Sequence, residues 1–292
     1  MLDYRINTFI KLCETLNYTK AAALLHITQP AVSQHIKYLE NYYGIKLFQR
    51  NGKKLILTPQ GEKLKQGLIL MQENEYLLER NLHDVAKETI RFGATMSVGA
   101  FMLGEHLADY MIKHPQANIQ VRVSNTVDLL NDLKNGVIDF AMLEGDYKTK
   151  DFNSILYRSM PFITVAGKAI ELATITSIHD LVNYPLIIRE SGSGTRKIME
   201  KLLNDNHLSV SDFKQVIEVG NMQAIKKLVE LNSGITCLYE SVVSEQLKQG
   251  TIIKLPFPQM HTHHDISIVW NQQLLFNDYE TLIREMFFNT DK

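Results

Sequence analysis

The sequence predicts a multidomain α+β chain: a small basic head of short helices with a hairpin, one long helix, and a larger two-lobed α/β body. Three observations carry this. The first sixty residues hold a capped helical pair followed by two short apolar runs. Residues 59–87 keep an apolar repeat at spacings of four and three. From Ile90 onward, short strand-like runs alternate with helical ones. A length of 292 residues leaves room for two domains and an ample core.

The head comes first. Thr19 and Thr28 are placed to cap two successive helices, each offering a side-chain oxygen to unpaired backbone N–H groups. Pro30 falls in the first turn of the second helix, where a missing N–H is tolerated. Val32, Ile36, Leu39 and Tyr43 recur at helical spacing and are expected to face inward. Gln29, Ser33, Gln34 and Lys37 then lie on the opposite face, where amides, a hydroxyl and an ammonium suit base edges and phosphates. Residues 44–50 and 55–58 flank Asn51-Gly52-Lys53-Lys54, and Asn-Gly between apolar runs signals a hairpin. Arg50, Lys53 and Lys54 would ride on it as a wing beside the phosphate backbone, though lysines there also suit a solvated turn.

Taken together, Ala21-Ala22, Leu24, Gln29-Pro30-Ala31-Val32-Ser33, Ile36, Leu39-Glu40, Gly44, Leu47-Phe48, Arg50, Leu57-Thr58 and Gly61 resemble the winged helix-turn-helix of LysR-type transcriptional regulators. The family often carries serine where this chain has Thr28, and both residues cap. The resemblance implies that Thr28, Gln29, Pro30, Ser33, Gln34, Lys37, Arg50, Lys53 and Lys54 contact DNA.

Charge agrees with that reading. Residues 1–60 carry eight Lys and Arg against three acids, a net +5; the whole chain is −1, so the remainder carries −6. A basic head on an acidic body is expected when one domain meets a polyanion. Cys13 and Cys237 sit on apolar patterns, are expected to be buried and reduced, and imply no disulfide framework. No apolar stretch is long enough to span a bilayer and no signal peptide is evident, so a cytoplasmic location is expected.

Thr58-Pro59 starts a helix predicted to run to about Lys87. Leu64, Leu68, Met71, Glu75, Leu78, Leu82 and Val85 form a heptad-like seam interrupted at Glu75, and a second copy of the chain is the natural partner for it. The predicted domains are 1–58 for the head, 59–88 for the linker and dimerisation helix, and 89–292 for the body. Within the body, one lobe spans about 89–162 and 267–292 and the other about 163–266.

In the body, strands at 90–94, 119–123 and 139–143 enclose helices at about 98–113 and 127–135. A second set has strands at 186–188, 215–219 and 234–238 around helices at 195–206 and 222–231. Residues 162–165 and 266–270 are expected to cross between the lobes. This order is similar to the effector domain of LysR-type regulators, itself similar to periplasmic solute-binding proteins. Ligands in such sheets sit at the carboxyl ends of the strands, in the cleft.

Two loops are predicted to face that cleft: Ala94-Thr95-Met96-Ser97, and Arg189-Glu190-Ser191-Gly192-Ser193-Gly194-Thr195-Arg196. Helix N-termini with glycines and hydroxyls suit an anion, although glycine and serine are also what a turn between strand and helix needs. Arg196 would pair with the ligand or neutralise Glu190 or Glu200. Glu144 would order a loop or meet a ligand amine, and Asn221 and Gln223 open a further helix on the cleft, Asn221 chiefly as a cap. His261, His263 and His264 lie before a strand without partners at metal-site spacing, so no metal is expected.

The resulting expectation is a DNA-binding regulator, not an enzyme, that needs no cofactor and is controlled by a small anionic metabolite. The resemblance adds an interrupted dyad site on double-stranded DNA, contact with RNA polymerase, and a homotetramer built as a dimer of dimers. Two alternatives use the same cleft: an enzyme acting on a phosphorylated substrate, and a binding protein for solute uptake. The first lacks a recognisable nucleophile–base set, and the second leaves the basic head unexplained.

Overall fold

The structure, a computed structural model, describes residues 3–52, 54–83, 89–144, 150–171, 174–275 and 278–288. The chain divides into two compact units, one reaching to about residue 85 and the other carrying nearly all of the rest.

The N-terminal unit opens with α1 (Tyr4–Thr15), α2 (Tyr18–Leu24) and α3 (Gln29–Tyr43). Thr28 caps α3 as expected, its Oγ1 accepting from the Ala31 N–H at 3.3 Å. The cap of α2 is Asn17, not Thr19: Asn17 Oδ1 accepts from the Lys20 N–H at 3.0 Å. Because α2 begins at Tyr18, Thr19 lies inside the first turn and cannot reach back to a free N–H. Phe9 and Leu12 of α1, Ala21 and Ala22 of α2, and Val32, Ile36 and Leu39 of α3 form the core. Tyr43 departs from the expected inward face and is 40% exposed; α3 ends there in a left-handed cap at Gly44, beyond the reach of the core.

Strands β1 (Phe48–Asn51) and β2 (Lys54–Leu57) pair antiparallel, Phe48 opposite Leu57 and Asn51 opposite Lys54. Phe48 seats the hairpin on the core, edge-on to Phe9 at 5.7 Å. Glu40 ties α3 to this hairpin: its carboxylate accepts from the Leu47 N–H at 3.0 Å and from Lys46 Nζ at 2.7 Å. Thr58 donates to the Lys46 carbonyl at 2.6 Å and accepts from the Gly61 N–H at 2.9 Å, which caps α4 (Pro59–His83). A Cβ on residue 61 would stand 2.3 Å from the Leu47 carbonyl oxygen, so only glycine lets α4 approach so closely.

The expected seam of α4 is divided. Leu64 and Leu68 pack into the core of their own head, because the first turns of α4 lie against it. Met71, Leu78 and Leu82 remain 53%, 39% and 70% exposed. Val85 falls outside the described residues.

In the second unit, β3 (Thr89–Thr95) leads into α5 (Met96–Phe101) and α6 (Leu103–Lys113). The single helix expected from about Val98 therefore starts earlier and breaks at Met102, between Gly99 and Gly104, where helix propensity is poor. Next come β4 (Asn118–Ser124), α7 (Thr126–Lys134), β5 (Phe140–Glu144) and β6 (Phe152–Gly167). These are followed by β7 (Leu186–Ile188), α8 (Gly194–Asp205), β8 (Val216–Glu218), α9 (Met222–Glu230) and β9 (Ile235–Tyr239). Helix α10 (Ser244–Gln249), β10 (Ile252–Lys254), β11 (Thr262–Asn271) and α11 (Tyr279–Phe287) complete the unit. Of these, α10, β10 and α11 carry no expectation from the sequence. Helix α8 starts at Gly194, one residue before the predicted start.

Among the described residues the strands form one nine-stranded sheet in the order β4-β3-β5-β11-β6-β9-β7-β8, with β10 on β6. Strand β3 runs parallel to β4 and β5, and β7 parallel to β8 and β9, with crossover helices between them. The long antiparallel pair β6 and β11 joins the two halves. Both strands extend well past the expected segments. A bulge lies where Ile266 opposes Arg158 and Ser267 opposes Leu156, leaving Tyr157 as the extra residue. Its hydroxyl meets His106 Nε2 of α6 at 2.6 Å.

Candidate functional site

Helix α3 presents Thr28, Gln29, Pro30, Ser33, Gln34 and Lys37 as exposed residues, with Val32, Ile36 and Leu39 buried behind them. The cap at Thr28 and the fixed φ of Pro30 set the first turn of the helix, so its leading side chains project from a rigid start. Arg50 and Lys54 are exposed on the hairpin; Lys53 lies outside the described residues. His35 shares α3 but not its outer face: its Nδ1 hydrogen-bonds Thr8 Oγ1 at 2.9 Å, Tyr4 packs edge-on to its ring, and burial holds its imidazole below the usual range. The outward set is therefore polar or cationic apart from Pro30, and His35 serves packing.

The second candidate site lies where the carboxyl end of β5 meets the start of α8. Glu144 ends β5 and is 1% exposed. Its Oε1 accepts from Thr195 Oγ1 at 2.5 Å and from Ser97 Oγ at 3.2 Å, and the hydroxyls of Ser97 and Thr195 stand 3.4 Å apart. Ser97 and Thr195, from the two loops predicted to face each other, are thus brought together by a third residue. Thr126 Oγ1 donates to the Glu144 carbonyl at 3.1 Å. A Cβ at residue 194 would stand 2.4 Å from that same carbonyl oxygen, so Gly194 permits the two halves to meet main chain to main chain. Burial drives the Glu144 carboxyl up from its ordinary range, opposed by the Thr195 bond, the nearby Arg189 charge and Ser97.

The other predicted residues take distinct places. Ser193 is buried and caps α8, its Oγ accepting from the Arg196 N–H at 3.4 Å. Thr95 is buried, and its Oγ1 has no hydrogen-bond partner among the described residues. Met96 and Gly192 are half-buried, and Ser191 is exposed. Arg196 is engaged by carboxylates, bonding Glu200 and Glu218 at 2.7 Å each and the Arg189 carbonyl at 3.1 Å. Of its two expected carboxylate partners, Glu200 is met, while Glu190 binds Arg189 in a two-point pair at 2.8 Å. Asn221 caps α9 by accepting from the Ala224 N–H at 3.0 Å, and Gln223 is exposed beside it.

Sequence reasoning missed Thr126, and it placed Arg189 on a cleft-facing loop without giving it a role. Thr126 opens α7 and shows no motif. Arg189 directly follows the apolar run of β7 and is 3% exposed, a burial that its charge gives no reason to expect. His263 and His264 belong to β11, not to a turn before it, while His261 is held in structure, Nδ1 accepting from the Thr164 N–H and Nε2 facing the Leu255 carbonyl. Both cysteines are buried and free, and burial pushes each thiol up to about 12. A cavity of about 270 Å³ lined by Ala166, Gly167, Tyr184, Pro185, Asn232 and Gly234 involves none of the predicted residues. No helix among the described residues is long and apolar enough to cross a membrane.

Comparison with known proteins gives two family matches: residues 4–62 to the bacterial regulatory helix-turn-helix protein of the lysR family, and residues 83–286 to the LysR substrate binding domain. Escherichia coli YeiE, named as an uncharacterized HTH-type transcriptional regulator, is 29% identical over 283 residues, covering 94% of this chain and 95% of its own. Full-length LysG from Corynebacterium glutamicum, solved with bound effector Arg, superposes with a TM-score of 0.68 at 16% identity over 98% of this chain and 96% of its own. The regulatory domain of Synechocystis CcmR in complex with 2-PG superposes with a TM-score of 0.60 at 19% identity, over 69% of this chain and 98% of its own.

Proposed function

The chain belongs to the LysR family of transcriptional regulators, and from that premise we propose how its parts divide the work. The head, residues 1–58, reads an operator through α3 and steadies itself on phosphates through the hairpin. The helix at 59–88 pairs two copies, and the body, residues 89–292, senses a small anionic metabolite between its two halves.

The observation that carries the DNA reading is the exposed row Gln29, Ser33, Gln34 and Lys37 on a helix capped at Thr28, with Arg50 and Lys54 on the adjoining hairpin. Amides and hydroxyls make base-edge hydrogen bonds, and cations bind phosphate. A two-fold dimer reads two half-sites, which calls for an interrupted dyad in the DNA. Exposed Met71, Leu78 and Leu82 on α4 support that dimer. A dimer of dimers and contact with RNA polymerase extend the same scheme, in the cytoplasm, with binding rather than catalysis as the output.

The effector reading is supported by Glu144 and Ser97, whose bonds to Thr195 join the two halves of the sheet at the start of α8, with Thr126 holding the Glu144 carbonyl beside them. A helix N-terminus favours an anion, and Arg189 adds a buried cation. The complexes of CcmR with 2-PG and of LysG with Arg show the same fold holding small molecules. An effector acts only through unequal affinity for two arrangements of the lobes, which changes the geometry presented to DNA.

The test is a mobility shift on the DNA upstream of the chain's own gene. A salt-sensitive shift with the intact protein, lost on Gln34→Ala, supports the proposal. Absence of a shift at every salt concentration overturns it.

A further inference from the structure

The N-terminus of α8 already holds a carboxyl group. Glu144 reaches across from the end of β5, and its Oε1 takes the hydroxyls of Thr195 and Ser97. The Thr195 main-chain N–H also favours the charged carboxylate. These are the donors that a helix N-terminus offers to a bound oxyanion.

The fit is incomplete. Glu144 Oε2 is buried with no partner, and so are Thr95 Oγ1 and Arg189 Nη1, each among the described residues. All three residues are at least nine-tenths buried, at 1%, 2% and 3% exposure. Thr95 ends β3 beside β5, and the Arg189 charge acts on the Glu144 carboxylate. The remaining Arg189 donors go to Glu190, and Arg196 is engaged by Glu200 and Glu218. Buried polar atoms without partners are rare in folded proteins; the two unmet donors, on Thr95 and Arg189, ask for an acceptor that Glu144 Oε2, itself unmet, does not supply from where it stands.

We propose that Glu144 is a tethered anion that occupies the seat of a small oxyanion ligand at the start of α8, and that the effector binds by displacing it. The idea rests on reading this cleft as the effector site. Two negative groups cannot share one buried site cheaply, so ligand and side chain exclude each other. The tether keeps its carboxylate at high local concentration and thereby sets the ligand concentration at which the site responds. A tetrahedral or carboxylate oxyanion, free of the tether, can accept from Thr195 and Ser97 and also from Thr95 and Arg189. Departure of Glu144 removes its hydrogen bonds to both loops, so displacement reaches each half of the sheet at once.

The experiment is calorimetric titration of the full-length protein with sodium sulfate, sodium phosphate and sodium acetate at constant ionic strength. Glu144→Gln keeps the side chain's shape and removes its charge. It is expected to bind at least one of the three roughly tenfold more tightly than the parent, the size of a one-unit electrostatic interaction. Adding Thr195→Val should abolish the gain. A gain for sulfate or phosphate assigns a tetrahedral ligand, and a gain for acetate alone a carboxylate. Equal affinities in parent and Glu144→Gln, or a gain that survives Thr195→Val, overturn the proposal. If Glu144→Gln does not fold by circular dichroism, Glu144→Asp, which withdraws the charge by one methylene, is judged by the same comparison. A mobility shift run in parallel separates the two readings. DNA binding without any gain in anion affinity removes the tethered anion alone, and a gain without DNA binding removes the regulator reading alone.

Discussion

Glu144 sets a pH dependence that can be worked out from its surroundings. Burial raises its carboxyl pKa in the folded chain, so the folded state holds that proton more tightly than the unfolded state does. Its contribution to stability is therefore greatest at low pH. That contribution falls as pH rises from the unfolded value through the raised folded one, and it stays low above that. Glu144→Gln has no charge to bury, so its melting temperature should exceed the parent's by a growing margin between acid and neutral pH. A margin independent of pH, measured by differential scanning calorimetry at several values, would contradict this. Thr28 supplies a second prediction at this scale. Its hydroxyl satisfies one of the free N–H groups at the start of α3. Thr28→Ala should cost about 1 kcal/mol in urea unfolding. It should also weaken DNA binding, because the leading residues of α3 lose their fixed start.

Elements show why some features were legible in the chain and others were not. The caps at Thr28 and Thr58, the hairpin around Gly52 and the outward face of α3 depend on neighbours within a few residues, and all are visible in order. Asn17 was masked by Thr19, because two capping side chains stand close together and only the true start of α2 separates them. The seam of α4 was half legible: periodicity marks an apolar face but not what covers it, and the head claims Leu64 and Leu68. Strand β10 is three residues long and gives no periodicity at all. The contacts of Glu144 could not be read, since Ser97 and Thr195 lie 47 and 51 residues away and meet it only after the sheet is built. Two predictions belong to these elements. Leu78→Glu and Leu82→Glu together should shift the chain from dimer toward monomer in sedimentation velocity, leaving its circular dichroism unchanged. Alanine at Lys37, Arg50 or Lys54 should each lower the slope of log affinity against log salt by about one if the residue neutralises a phosphate.

At the scale of the whole molecule, charge and topology carry separate kinds of information. The +5 head and the −6 remainder were plain from composition, and they account for attraction to DNA without saying which sequence is read. The α/β order of the body was plain from periodicity. What the order could not give was the depth of the join between its halves. Strands β6 and β11 remain paired from Phe152–Asn271 at one end to Phe162–Thr262 at the other, with one bulge at Tyr157, and β6 then continues onto β9 and β10. A ladder that runs through a joint with a single bulge behaves as a torsion bar. It can twist, but it cannot part without losing many hydrogen bonds at once. The ladder therefore favours rotation of the lobes about it, as a wrist turns, over a separation that would break it. Backbone amides along β6 and β11 should exchange with deuterium at one slow rate with the cleft filled or empty, and those of the loops at Ser97 and Thr195 should respond to the ligand.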